Sequence, residues 1–210
     1  MKVMAVAGLT ERQEQVRRGL RLEILTLSYN VIEAVVSITA GLIAGSIALV
    51  GFGVDAVIES LSGATMLWRL RLDDHHRREE FEQRALRLIG ASFFVLAAYV
   101  GYEAAEKLWK QEAPDRSIPG IILACCSLAI MPVLSRKKQT VSREIGSNAM
   151  AADAKQTLLC SYLSAILLGG LALNATLGWW WADPVAGLVM TPVIAREGWL
   201  ALKGEGCGCH

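Results

Sequence analysis

The fold is decided by the stretch SIALVGFGVDAVIESLSGATMLWR, residues 46–69, an apolar run of about 24 residues with two carboxylates near its middle. A helix of this length crosses a bilayer. Asp55 and Glu59 each cost about 2.5–3.5 kcal/mol to insert, or about 5–7 kcal/mol together. Both lie two or more turns from the nearest end, so neither can reach the interface. Carboxylates kept at this cost normally face a partner, a cavity or an ion.

The composition is that of a membrane protein. The chain is 53% hydrophobic and 20% charged, and the charges cluster between long apolar runs. Its net charge of +1 gives no reason to expect nucleic-acid binding. The sequence contains no nucleophile–base arrangement, phosphate loop or C-x-x-C pair, so we expect neither an enzyme nor a tightly bound cofactor.

Hydropathy predicts an all-α membrane protein with six transmembrane helices. The predicted spans are residues 22–44, 46–70, 85–108, 118–134, 148–173 and 179–202. Charged segments 71–84 and 136–143 are expected to connect them. Residues 1–21 are predicted to form an N-terminal segment in which the capping-box spacing of Thr10 and Gln13 allows a helix. Residues 22–202 are predicted to form a six-helix transmembrane domain, and residues 203–210 a tail.

Basic residues are distributed unevenly among the connecting segments. Arg and Lys concentrate before the first span, between spans two and three, and between spans four and five. Because positive loops stay in the cytoplasm, both termini are predicted to be cytoplasmic. Trp179, Trp180 and Trp181 would then form an interfacial anchor on the opposite side.

An internal repeat relates the two halves of the chain. The pattern Gly-Ser-x-Ala opens span two at Gly45 and span five at Gly146, 101 positions later. The same offset places Gln156 at the position of Asp55, and Cys160 at the position of Glu59. Matching helices with polar side chains at matching depths suit a transporter whose site lies near the midplane of the membrane.

Three stretches carry a resemblance to a known family. They are AGLIAGSIALVGFGVDAVIE at residues 40–59, ADA at 152–154 leading through Gln156 to Cys160, and ADPVAGL at 182–188. On these stretches the chain resembles the cation diffusion facilitator family of divalent-metal transporters from about residue 22 to residue 202. The resemblance implies a six-helix transport domain that forms a homodimer.

The resemblance also implies where cargo binds. In that family, span two offers an Asp or His and then an Asp four residues later, the positions that Asp55 and Glu59 occupy here. Span five typically offers a His and then an Asp, where this chain has Gln156 and Cys160. The family's cytoplasmic C-terminal metal-binding domain is expected to be missing, because the sequence stops shortly after span six.

The residue types themselves predict a metal site. Positions i and i+4 of a helix lie about 6 Å apart on one face, close enough for two carboxylates to hold one divalent ion. If Gln156 and Cys160 join them, the mixed oxygen and sulfur donors suit Zn²⁺ or Cd²⁺ better than Mg²⁺ or Ca²⁺. Two such carboxylates should not both be ionised when the site is empty. Metal binding would then expel a proton, which is a route to metal/proton exchange.

Each candidate also has a structural alternative. The carboxylate pair could bond neighbouring helices, Cys160 could be a small core residue, and Gln156 could be an interhelical hydrogen-bonding residue. Asp153 is either a second polar contact or part of the access route. Glu33 and Asn30, one turn apart in span one, either stabilise the pathway or replace the missing His. In the tail, Cys207, Cys209 and His210 could capture or hand over a metal, although three ligands do not complete a tetrahedral site.

The sequence as a whole favours an exporter of divalent cations in a bacterial-type inner membrane. Zn²⁺ or Cd²⁺, with Co²⁺ or Fe²⁺ as alternatives, would be exchanged for protons. The rival hypothesis is a membrane partner that lacks transport activity and regulates another transporter.

Overall fold

The structure is a computed structural model that describes residues 2–71 and 75–203, which are helical apart from the short connections between the helices. Its helices are α1 Lys2–Ala44, α2 Ile47–Arg71, α3 His75–Lys110, α4 Ile118–Ile145, α5 Asn148–Leu177 and α6 Ala182–Leu202. Each of the six contains a stretch long and apolar enough to cross a membrane. The predicted all-α architecture with six spans is confirmed.

Several helices are longer than the predicted spans. Helix α3 begins at His75, and α4 continues to Ile145, so most of the two charged segments expected to be loops is helical. These segments are rich in Arg, Lys, Glu and Gln, which favour helices, and contain no Gly or Pro that would stop one. Hydropathy shows where an apolar run ends, whereas the helix itself continues to the next breaking residue.

The repeated Gly-Ser pattern forms the same turn twice. Gly45 and Gly146 have φ values of 65° and 66°, the left-handed conformation that glycine adopts without strain. The serine that follows each glycine caps the next helix: Ser46 Oγ accepts from the Leu49 amide at 3.1 Å, and Ser147 Oγ accepts from the Met150 amide at 3.3 Å. Helices α1 and α2 therefore form a hairpin that matches the hairpin of α4 and α5.

The two hairpins pack against each other and form the half of the domain that contains the candidate site. Helix α1 also contacts α4, and α2 also contacts α5. The remaining helices, α3 and α6, pack closely together and lie against α2 and α5. Large apolar side chains such as Leu42, Ile43 and Val95 are exposed, as expected for surfaces that face lipid.

Polar side chains fill much of the space between the two hairpins. On α1 they recur at intervals of three and four residues and are all buried: Glu23, Thr26, Asn30, Glu33 and Ser37. The neighbouring helices contribute the buried residues Ser127, Ser135, Lys138 and Ser142 from α4 and Asp153, Thr157, Ser161 and Ser164 from α5. These residues, with Asp55 and Glu59 of α2, form what we call the polar interior.

A carboxylate from α6 fixes the start of α2. The fully buried Asp183 accepts hydrogen bonds from Ser46 Oγ at 2.5 Å and from the Ile47 amide at 3.1 Å. Because the first amides of a helix lack intrahelical partners and carry its positive dipole end, this carboxylate caps α2 and holds it against α6. The cap helps to set the depth at which Asp55 and Glu59 lie.

Candidate metal centre

Three buried side chains converge between α2 and α5. One ligand atom from each of Asp55, Glu59 and Cys160 lies within 4.8 Å of the others. Their exposed fractions are 6%, 4% and 2%. Among the residues that the structure describes, this is the only cluster of three or more His, Cys, Asp or Glu side chains arranged closely enough to hold a metal ion. We call these three residues the metal centre.

The helix geometry explains why these residues meet. Asp55 and Glu59 are four residues apart and therefore lie on one face of α2. Helix α5 runs antiparallel to α2, because Ser62, beyond Glu59 in α2, contacts Gln156, which precedes Cys160 in α5. The second of the two aligned positions in α5 thus reaches the carboxylates, and the first lies one turn away from them.

Glu33 of α1 lies next to the metal centre. Its Oε2 accepts from the Cys160 thiol across an S···O distance of 3.8 Å, and its Oε1 accepts a hydrogen bond from the Ser127 hydroxyl. The Ser127 oxygen in turn lies 2.7 Å from Tyr29 Oη. Since the Ser127 proton is directed at Glu33, Tyr29 is the donor in this second bond. Glu33 is thereby held facing the thiol.

Gln156 and Asn30 lie in different surroundings. Gln156 is half-buried, and its Oε1 accepts a hydrogen bond from Ser62 Oγ at 3.2 Å. Asn30 is fully buried beside Glu59, and its Oδ1 has no hydrogen-bond partner among the described residues. Of the two amide oxygens, the one without a hydrogen bond among the described residues is therefore that of Asn30.

Asp153 belongs to a second cluster rather than to the metal centre. Its Oδ2 lies 2.5 Å from Lys138 Nζ, and Glu23 Oε2 lies 2.9 Å from the same nitrogen. Thr157 Oγ1 lies 3.5 Å from that nitrogen and close to Glu59. We call Glu23, Lys138 and Asp153 the lysine cluster. The role of Asp153 as a metal ligand remains a prediction.

Three of the residues around the site were missed by the sequence analysis. Lys138 was placed in the basic segment that connects spans four and five, and Glu23 was given no role within span one. Glu197 of α6 was not considered, although it is near enough to Asp55 to act on it electrostatically and its Oε1 is buried without a hydrogen-bond partner among the described residues. The one available signal was helical spacing, because Glu23 lies seven residues before Asn30 and so on the same face of α1.

The tail residues Cys207, Cys209 and His210 lie outside the described residues. Their proposed role in metal capture remains a prediction.

The six apolar helices define the class of the molecule as a multi-pass integral membrane protein. Comparison with known proteins then identifies its family. Residues 24–204 match the model of the cation efflux transmembrane domain, and the chain belongs to this family. The family consists of transporters of metal cations, not of enzymes.

Two curated relatives agree with this assignment. The chain is 26% identical over 155 residues to an uncharacterized transporter of Synechocystis sp., covering 70% of this chain and 49% of that protein. It is 22% identical over 180 residues to an uncharacterized transporter of Methanocaldococcus jannaschii, covering 82% of this chain and 63% of that protein. The chain therefore spans about half to two thirds of the length of these relatives.

Proposed function

We propose that this protein exports divalent cations of the zinc class and exchanges them for protons at the metal centre. The observation that carries the proposal is the meeting of three buried potential ligands, two carboxylates and a thiol, within 4.8 Å in the interior of a transmembrane domain. Such groups are costly to bury, and a bound cation offsets that cost. Membership of the cation efflux family supports the same conclusion.

The donor set favours zinc-class ions over hard cations. Ca²⁺ and Mg²⁺ prefer sites made only of oxygen ligands, whereas a thiolate suits Zn²⁺ and Cd²⁺. Cys160 supplies the sulfur, and Asp55 and Glu59 supply oxygens. Metal ligands must be deprotonated, so binding at closely spaced buried acids releases protons and unloading takes them up. Metal/proton exchange therefore follows from the chemistry of the site.

Two further buried side chains, Glu33 and Asn30, are candidates for the fourth ligand. Glu33 is the nearest further carboxylate, since its Oε2 already contacts Cys160 Sγ. Asn30 Oδ1 is buried beside Glu59 without a hydrogen-bond partner among the described residues. Either oxygen could complete a tetrahedral set with the metal centre, and Gln156 would first have to leave Ser62.

We further propose that the protein acts as a homodimer in a bacterial-type inner membrane with both termini in the cytoplasm. The asymmetry of Arg and Lys supports the orientation. Labelling of single cysteines in intact cells tests it: a cysteine replacing Trp181 should react with an impermeant reagent from outside, and Cys209 should not. Labelling of Cys209 from outside would reverse the arrangement.

Transport by purified protein in vesicles tests the central proposal. Asp55→Asn and Glu59→Gln remove charge but retain size, so we expect each to abolish Zn²⁺ uptake while the protein remains folded. The matched control is Glu106→Gln, which neutralises a partly exposed glutamate paired with Lys110 in α3 and should transport normally. Wild-type flux in Asp55→Asn or Glu59→Gln would show that the pair is structural. A wild-type protein that binds Zn²⁺ without moving it would favour the regulatory alternative.

A further inference from the structure

The lysine cluster contains a buried cation that belongs to the protein itself. Lys138 is fully buried, and its ammonium group lies between Glu23 Oε2 at 2.9 Å and Asp153 Oδ2 at 2.5 Å. Its neighbour Lys137, one position earlier in α4, is exposed. Lys138 therefore lies in the polar interior, although its neighbours in the sequence form a basic segment, and its ion pairs connect α4 to α1 and α5.

The same cluster also touches α2. A Cβ atom added to Gly63 would lie 2.5 Å from Glu23 Oε1, so the Glu23 carboxylate rests directly against the backbone of α2. Gly63 is one turn from Glu59 on the same face of the helix. The four helices around the metal centre, α1, α2, α4 and α5, therefore meet at this cluster. The cluster lies in the polar interior between the metal centre and the end of the domain that contains the first half of α1.

We propose that Lys138 is a gate residue that closes this end of the polar interior, an inference that rests on the proposed transport of cations. A cation approaching the metal centre from this end meets an ammonium group of the same sign. The two carboxylates that would attract it are already paired with that group. Opening the route requires α1, α4 and α5 to separate, which breaks both ion pairs.

The position of the cluster favours a gate over a simple structural link. A buried ion pair adds little to stability compared with apolar packing, because desolvation offsets most of the attraction. Here the pair lies next to the metal centre, since Thr157 adjoins both Lys138 Nζ and Glu59. Its charges would act on a passing cation, which apolar side chains cannot do.

The test uses Cys160 as a reporter of opening. All other cysteines are replaced by serine in the full-length chain, which is placed in nanodiscs without metal. The rate at which a water-soluble methanethiosulfonate reagent modifies Cys160 then reports how often water reaches the metal centre. The variant Glu23→Gln/Lys138→Met/Asp153→Asn removes the charges of the cluster together, so no charge is left buried without a partner. We expect modification to be at least about tenfold faster than in the parent protein, because the open form becomes more populated.

Two matched controls accompany this variant. Lys137→Met removes the neighbouring exposed charge and should leave the rate unchanged. Gly63→Ala pushes the Glu23 carboxylate away from its place without altering any charge, and should also accelerate modification. Its control is Gly169→Ala in α5, where an added Cβ meets no atom within 4 Å.

The outcomes separate the gate from the transport proposal. Rates equal to the parent in both the triple variant and Gly63→Ala, with unchanged thermal stability, would overturn the gate. Equal acceleration by Lys137→Met would also overturn it. Protection of Cys160 by added Zn²⁺ is measured separately in the parent protein: its absence would count against the metal centre, whatever the rates in the cluster variants.

Discussion

Two clusters of buried acids lie next to each other in this protein, and they differ in whether they already hold a cation. In the lysine cluster, the carboxylates of Glu23 and Asp153 share the ammonium group of Lys138. At the metal centre, neither Asp55 nor Glu59 forms a salt bridge with any residue in the described ranges, and Glu33 nearby does not either.

This difference indicates which acids are available to cargo. A buried carboxylate with a tethered partner needs nothing further, whereas one without a partner favours either a proton or an external cation. The cluster with the thiol is the one that lacks its own cation. The carboxylates of the two clusters are buried to a similar degree, so the decisive feature is Lys138.

The largest expected effect comes from removing that lysine alone. Lys138→Met leaves Glu23 and Asp153 buried without their cation, and breaking a buried pair in this way costs about 3–5 kcal/mol. Thermal unfolding in detergent should therefore show a strongly destabilised protein. Glu59→Gln, which removes an acid that has no cation partner, should leave the unfolding temperature unchanged or raised. Equal destabilisation by the two substitutions would contradict the claim that only the lysine cluster depends on a cation supplied by the protein.

Zinc should stabilise the protein through one cluster only. At a free concentration of about 100 times Kd, a ligand that binds only the folded state adds about 2.7 kcal/mol of stability. We expect Zn²⁺ to raise the unfolding temperature of the wild type by a corresponding amount, and to have no effect on Asp55→Asn. In Glu23→Gln, where Lys138 retains Asp153, the stabilisation by Zn²⁺ should persist. If Zn²⁺ no longer stabilised Glu23→Gln, the result would indicate that zinc binds at the lysine cluster and not at the metal centre.

The sequence predicted the fold better than it predicted the side-chain contacts within the metal centre and the lysine cluster. Six apolar runs and the repeated Gly-Ser turn define the helices, because span length and glycine conformation are local properties. The internal offset aligns Asp55 with Gln156 and Glu59 with Cys160, and of these two α5 residues only Cys160 lies within 4.8 Å of the carboxylates. No local property identified the partner of Asp153.

Lys138 shows why the remainder could not be predicted. In the sequence it lies among Arg136, Lys137 and Arg143, a pattern typical of a solvated segment. Its burial results from the continuation of α4 and from the positions of Glu23 and Asp153 on two other helices, 115 and 15 residues distant along the chain. Contacts of this kind depend on helix packing, which hydropathy does not report.

Cys160 should control the choice of ion within the metal centre, with a smaller effect. Cys160→Ala should weaken binding of Zn²⁺ and Cd²⁺ by about tenfold, because a soft ligand is lost. Cys160→Asp should shift preference away from Cd²⁺ toward Mn²⁺ or Fe²⁺. Competition binding measures both, in a protein truncated after Lys203 so that the tail thiols do not compete. If relative affinities do not change, Cys160 is a packing residue, and Glu33, Asn30 or water completes the site.

The most direct test of the metal centre is the coordination shell of the bound ion. X-ray absorption of zinc-loaded protein, with Cys125, Cys126, Cys207 and Cys209 replaced by serine, would detect Cys160 as the one remaining sulfur ligand. We predict one sulfur at about 2.3 Å together with oxygen ligands at about 2.0–2.2 Å. This spectrum should disappear in Asp55→Asn/Glu59→Gln. A shell without sulfur, or one that survives the loss of both carboxylates, would contradict the assignment of cargo to Asp55, Glu59 and Cys160.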